Sequence, residues 1–199
     1  MANTITSDAQ DAADMARLIA GGDAALNDLM TRHGERLFHY LIRVLQDEGE
    51  AADISQETFA RVYLNREKFR SSNRFSTWLY TIATNLARDV LRRRSRRPQV
   101  SLESSSDDEM TLKDVLPSTD LTPNEQLELS ERAAAVRQAI AHLPEDLRVP
   151  LVLAEYEDQS HAEIAAVLDC SPKAVEMRIY RARQQLRSSL ASLLSGKKS

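Results

Sequence analysis

One cysteine, Cys170, stands in 199 residues, so no disulfide can form within the chain. With only four scattered histidines beside it, that thiol makes no zinc-ligand spacing. The five glycines form no phosphate-cradling loop, and no nucleophile elbow occurs. No apolar run approaches the ~18 residues of a membrane span. The N-terminus MANTITSDAQDAAD is acidic and polar where a signal peptide would be basic and then apolar. Metal, covalent-nucleophile and secreted classes are disfavoured together. The expectation is a soluble, cytoplasmic protein with no catalytic residue, no metal, no cofactor and no membrane insertion.

What the chain does have is segregated charge. The net charge of −4 averages very unequal stretches. Residues 61–98 carry 11 basic groups against two acids, and residues 99–131 carry one against nine. Residues 1–60 are acidic again, with four basic groups against 11 acids, and 132–199 are mildly basic. A basic block between acidic ones suggests a polyanion-binding segment that the average conceals.

Hydrophobic residues recur at helical spacing throughout, and no strand pattern competes with them. Helices are expected over 8–20 and from Asp23, a candidate N-cap, to 45. On the second, Leu26, Met30, His33, Leu37, Tyr40, Leu41 and Val44 share a face. His33 lies within that stripe and reads as a satisfied core or boundary residue. A third helix, 50–65, turns Ala51, Ile54, Thr58 and Val62 inward. Its opposite side gathers Glu50, Asp53, Gln56, Glu57 and Ala60, which is either a solvated face or a dock for a basic partner.

The stretch 75–97, FSTWLYTIATNLARDVLRRRSRR, organises the rest. At ~100° per residue, Phe75, Trp78, Leu79, Ile82, Ala83, Leu86 and Val90 form a stripe roughly 140° wide. Thr81, Asn85, Arg88 and Arg92 lie on its shoulder, and the helix ends in arginines before Pro98. By itself this is also how an ordinary amphipathic helix with a solvated end looks. The polar loop FRSSNRF precedes it, with Ser76 as candidate cap. Residues 98–123 are rich in Ser, Pro and acids, and read as a flexible linker.

Helices resume over 124–143 and 145–157, the second with Pro150 expected to distort its early turns. Ser160-His161-Ala162-Glu163 is a capping box opening a short helix, 161–168. Ser171 caps the next, with Pro172 at its first position. Two capped helices joined so tightly form a helix-turn-helix. On the second, Val175, Ile179, Ala182 and Leu186 face inward. Lys173, Glu176, Met177, Tyr180, Arg181 and Gln184 face outward, and Arg178, Arg183 and Arg187 flank them at phosphate-contacting positions. Such a helix suits a major groove.

Three segments, DISQETFARVY (53–63), RFSTWLYTIATNLARDVLRRR (74–94) and LPEDLRVPLVLAEYEDQSHAEIAAVLDCSPKAVEMRIYRARQQL (143–186), closely resemble the extracytoplasmic-function group (group 4) of bacterial sigma-70 family factors. The resemblance implies an all-α protein of two helical domains, 1–97 and 125–199, joined by a flexible acidic linker, 98–124. It implies a factor that binds core RNA polymerase through the clamp and flap regions, directs it to promoter DNA and is held by an anti-sigma factor. Asp53, Gln56 and Glu57 would dock on the clamp of the largest subunit. Ser71, Ser72, Asn73, Trp78, Asn85, Arg88, Arg92 and Arg93 would take the −10 element as a single strand, one base being flipped into a pocket to which Asn85 belongs. Lys173, Glu176, Met177, Tyr180, Arg181 and Gln184 would read the −35 duplex. Family members often carry a basic or small residue where Glu176 and Met177 stand, which leaves the promoter sequence open. The acidic linker is either a tether or a mimic of a transcript. Two other readings compete: a free-standing helix-turn-helix regulator, which leaves the shoulder of 75–97 unused, and an antagonist with a degenerate copy of the fold.

Overall fold

The structure, a computed structural model, describes residues 2–96 and 123–191, with side chains from 8 to 96 and from 129 to 191. Every regular element among the described residues is helical. The first group comprises α1 (Ala2–Ile19), α2 (Ala24–Leu45), α3 (Glu48–Leu64), a 3-10 turn (Arg66–Lys68) and α4 (Phe75–Arg96). The second comprises α5 (Pro123–Ala141), α6 (Glu145–Glu155), α7 (His161–Leu168) and α8 (Pro172–Ser189). The expected linker, 98–124, lies outside the described residues except for its last two, which open α5. No helix among the described residues is long and apolar enough to cross a membrane.

α2 is the centre of the first group, packed against α1, α3 and α4. Its buried residues are Ala25, Leu29, Leu37, Tyr40, Leu41, Val44 and Leu45. On a wheel of ~100° per residue these drift by about 100° from the first turns to the last, because different helices cover the two halves. Met30, expected on the buried stripe, is therefore 40% exposed, and Leu29 is buried in its place. His33 is half-buried, with Nε2 2.9 Å from both carboxylate oxygens of Asp11. That is the boundary role expected of it.

Two caps differ from expectation. Asp23 makes no capping bond; its carboxylate accepts from the Tyr63 hydroxyl, tying α2 to the end of α3. Ser76 lies one residue inside α4, is 8% exposed and has an unpartnered hydroxyl. Asp47 does cap: its Oδ1 accepts from the Glu50 amide at 2.8 Å, and α3 starts at Glu48. This satisfies one of the four orphan amides of the helix start.

The second group wraps α8 with α5, α6 and α7. Leu147, Val149, Leu151, Val152, Leu153, Ile164, Val167, Leu168, Val175 and Ile179 form its core. α6 runs unbroken through Pro150, which costs one hydrogen bond in the helix interior without ending it. The two groups then pack directly on each other, α4 against α7 and α2 against α6 and α5. The buried side of α4 is accordingly wider than expected. Tyr80, Thr84 and Ala87 are buried along with Phe75, Leu79, Ala83, Leu86 and Val90, while Trp78 and Ile82 are only half-buried.

Candidate nucleic-acid interface

The loop before α4 is built on aromatic packing. Phe69 and Phe75 lie 5.4 and 6.3 Å from Trp78 between ring centroids, so the three rings pin both ends of the loop to the helix. Between them Ser71, Ser72 and Asn73 are exposed, and the Asn73 amide donates to the Arg70 carbonyl at 2.9 Å. Further along α4, Asn85 is exposed and has no side-chain partner among the described residues. Arg92 and Arg93 are exposed too, Arg92 paired to Asp89 one turn back. Arg94 points the other way: it donates to the Leu45 carbonyl at 2.8 Å and pairs with Glu50 at 2.7 Å and Asp47. It closes the end of α2 onto the start of α3, so the arginine run is not uniformly presented to solvent.

Arg88 and Arg74 face the second group. Arg88 Nε lies 2.9 Å from Glu145 Oε1, in the first turn of α6. Arg74, just before α4, pairs with Glu163 of α7 and, through Nε at 2.8 Å, with Asp8 of α1. Nearby, the Tyr80 hydroxyl donates to Glu157, which also lies 3.4 Å from Arg36 Nε. The Arg43 guanidinium sits 4.3 Å over the Tyr156 ring. A cavity of about 360 Å³ opens in this seam, lined by Arg36, Arg74, Ser76, Tyr80, Glu157 and Gln159 among others. The Ser76 hydroxyl and Gln159 Oε1 on its wall lack partners. The seam is a polar, charged contact.

The charges there shift in both directions. Burial pushes the Glu157 carboxyl above the ordinary glutamate range, and Tyr80 and the Arg36 and Arg43 charges only partly oppose it. Burial also raises the Tyr80 phenol, and the Glu157 charge adds to this. For Glu163, burial acts upward, but the Ser160 hydroxyl and amide and Arg74 outweigh it, leaving the carboxyl below its ordinary value.

On α3, Asp53, Gln56 and Glu57 are all exposed on one face. Glu57 is joined to Arg61 at 2.8 Å one turn on, and Glu50 is withdrawn by Arg94. Leu64 ends the same line (53, 57, 60, 64 along the helix) and is 75% exposed. Sequence inspection missed this residue, although its i, i+4, i+7, i+11 spacing was legible.

The helix-turn-helix forms as expected. Ser160 and Glu163 make the reciprocal capping box, Asp169 ends α7 in the left-handed region at φ 51°, and Ser171 Oγ accepts from the Ala174 amide with Pro172 in the first turn of α8. Val175, Ile179 and Ala182 are buried. Lys173, Glu176, Met177, Tyr180, Arg181 and Gln184 are all exposed, Tyr180 at 58%. Lys173 and Glu176 pair at 2.9 Å, and the lysine holds the glutamate below its ordinary pKa. Among the flanking arginines, Arg187 is exposed. Arg183 is drawn to Glu155 of α6, and Arg178 lies against the Cys170 sulfur at 3.8 Å.

The structure thus leaves the expected residues of α3 and α8 exposed, whereas on the loop and shoulder of α4 Ser71, Ser72, Asn73, Asn85, Arg92 and Arg93 are exposed, Trp78 is half-buried and Arg88 is turned to Glu145. Sequence inspection did not find that Arg74, Tyr80 and Arg36 would be engaged by the second group. Pairings 77 to 122 residues apart leave no local signal.

Comparison with known proteins matches residues 29–97 to the family model described as Sigma-70 region 2 and residues 133–186 to that described as Sigma-70, region 4. The chain is 35% identical over 190 residues to the RNA polymerase sigma-H factor of Pseudomonas aeruginosa, covering 93% of this chain and 96% of that one. It is 31% identical to the ECF RNA polymerase sigma factor SigW of Bacillus subtilis, covering 87% and 92%. Among solved structures, CnrH in complex with the cytosolic domain of CnrY is similar at 27% identity and a TM-score of 0.65, covering 95% of this chain and 99% of that one.

Proposed function

The chain belongs to the extracytoplasmic-function sigma factors of the sigma-70 family, and from that membership we propose a division of its surface among three ligands. As a sigma factor it directs core RNA polymerase to promoters, and it is not an enzyme. The domain division 1–97, linker 98–124 and 125–199 separates the labour. Asp53, Gln56 and Glu57, with Leu64 as an apolar anchor at the end of the line, dock on the core enzyme. Ser71, Ser72, Asn73, Trp78, Asn85, Arg88, Arg92 and Arg93 hold the −10 element as a single strand. Lys173, Glu176, Met177, Tyr180, Arg181 and Gln184 read the −35 element as duplex. The protein acts in the cytoplasm and is restrained by an anti-sigma factor. The solved relative captured with a second protein's cytosolic domain supports that last point by analogy.

The observation that supports this reading is that one chain exposes two polar faces of unlike build. The α4 shoulder offers a lone amide, Asn85, beside arginines and an aromatic wall, which suits an unstacked base. Extruding a base costs about a few kcal/mol. Stacking at ~1–3 kcal/mol per base, with phosphate contacts, offsets that. Helix α8 instead offers a rigid, capped rod with a polar outer side, which suits an intact groove. Arg181 can bond a guanine bidentately, and Glu176 can accept from a cytosine amine with the carboxylate oxygen that Lys173 does not hold.

The test is transcription from a genomic library by core enzyme plus the purified chain, with start sites read by sequencing. Starts downstream of a shared bipartite motif are expected. Failure of the chain to bind core enzyme would overturn the assignment. Asn85→Ala should lower opening of those promoters by about ten-fold, the effect of ~1–2 kcal/mol, with core affinity unchanged.

A further inference from the structure

Arg74, Trp78, Thr81, Asn85, Arg88 and Arg92 are spaced 4, 3, 4, 3 and 4 residues apart. At ~100° per residue they fall within about 80° of one another along a line ~27 Å long. Arg74 thus extends to its very start the shoulder on which Asn85 stands, next to the exposed loop of Ser71, Ser72 and Asn73. Of the three arginines on this line, two are held by carboxylates of the second domain. Glu163 engages Arg74, which Asp8 of α1 also holds at 2.8 Å, and Glu145 lies 2.9 Å from Arg88. Asn85 between them stays exposed.

We propose that Arg74 is a phosphate-binding residue for the single strand, and that α6 and α7 act as an internal competitor, Glu145 and Glu163 standing where two backbone phosphates of the strand lie in the promoter-bound state. This inference rests on the sigma-factor reading. Carboxylates match arginine forks as phosphates do. The contact they belong to is one suited to come apart, since it is charged, carries a cavity of about 360 Å³ and leaves Ser76 and Gln159 unpartnered. The closed arrangement also cannot serve both promoter elements. α4 and α8 both pack on α7, which at 8–10 Å per helix pair sets their axes within ~20 Å. Elements at −10 and −35 lie ~25 base pairs apart, or ~85 Å at 3.4 Å per step. The 26 residues between α4 and α5, at ~3.3–3.6 Å each, reach about that far when extended. Opening therefore separates Glu145 and Glu163 from the arginines they hold, leaving Arg74 only the Asp8 carboxylate of α1 and Arg92 only the neighbouring Asp89 for a phosphate to displace.

The experiment uses the full chain, a fluorescein-labelled mixed-sequence 12-nucleotide single strand and anisotropy at two salt concentrations, alongside core-enzyme binding by the same proteins. Glu145→Gln with Glu163→Gln keeps the hydrogen-bonding shapes, including the capping box, which accepts glutamine. It should bind the strand about three- to ten-fold more tightly than the unaltered chain. Glu35→Gln with Glu67→Gln, the same charge change on exposed residues away from the seam, should bind within about two-fold of it. Arg74→Ala added to the first pair should remove most of the gain and lower the salt slope by about 0.7, one phosphate. Glu145→Gln alone, which leaves the α7 cap untouched, should show part of the gain. Equal gains from both charge pairs, or no loss on adding Arg74→Ala, would overturn the proposal even with core binding intact. Absent core binding would instead point to failure of the sigma-factor reading.

Discussion

At the scale of single residues, Glu157 shows how burial and pairing compete. Its folded pKa is raised by burial despite Tyr80 and Arg36. A raised carboxyl contributes stability that is present below its unfolded value, 4.5, and is lost as pH rises through the folded value. At neutral pH the buried charge is a burden. Glu157→Gln keeps an acceptor for the Tyr80 hydroxyl and removes the charge, so thermal unfolding at pH 7 should be unchanged or stabilised by up to ~1 kcal/mol. The decline in stability on going from pH 4.5 toward neutral should also flatten. A loss above ~2 kcal/mol would mean that the Arg36 pairing outweighs desolvation. Asp11 is the opposite case. It is 1% exposed and serves both Arg32 and His33. Asp11→Ala should destabilise by about 2–3 kcal/mol in urea titration, less than the ~3–5 of a fully orphaned partner, because Asp14 still holds Arg32 at 2.7 Å.

At the scale of elements, helix ends decide whether short helices stand. α7 is only eight residues long, too short to be stable by itself, and it carries the face that meets α4. Ser160→Ala removes the side-chain cap and should cost about 1 kcal/mol in chemical denaturation. Asp169 sits at φ 51° with its carboxylate exposed. Asp169→Gly relieves that left-handed residue and should gain a few tenths to ~1 kcal/mol. These ends were legible in the sequence because capping acts over three or four residues. Asp23 and Ser76 were misjudged for the same reason: each has the right residue type near the right place. The Tyr63 hydroxyl claims Asp23 from across the bundle, and α4 begins at Phe75, two residues earlier than a Ser76 cap would require.

At the scale of the whole molecule, the two helical groups form one closed body across a polar seam. Among the described residues four arginine–carboxylate contacts, Arg36–Glu157, Arg36–Asp158, Arg74–Glu163 and Arg88–Glu145, join α2, α4 and the residue before α4 to the second group. Contacts of this kind weaken with added salt, most of all where the partners are part-exposed. The radius of gyration by small-angle scattering should therefore rise between ~50 and ~500 mM salt, and rise at lower salt in the Glu145→Gln, Glu163→Gln chain. An unchanged profile would mean that apolar contacts hold the seam. Asp53, Gln56 and Glu57 stay exposed in the closed body, so a partner can reach that face before the second group is released.

From its sequence alone this chain announced its helices, its two bundles, the acidic outer face of α3, the Asn85 shoulder and the capped helix-turn-helix. Each depends on spacings of three, four or seven residues, and periodicity records those directly. Tertiary structure decided what such spacings cannot carry: the rotation of the buried side of α2 that exposes Met30, the inward turn of Arg94, and the closure of Glu145, Glu157 and Glu163 onto α2 and α4. Those depend on which surfaces meet across 40 to 120 residues of chain. A charged side chain looks the same in sequence whether its partner is water, a phosphate or a distant carboxylate.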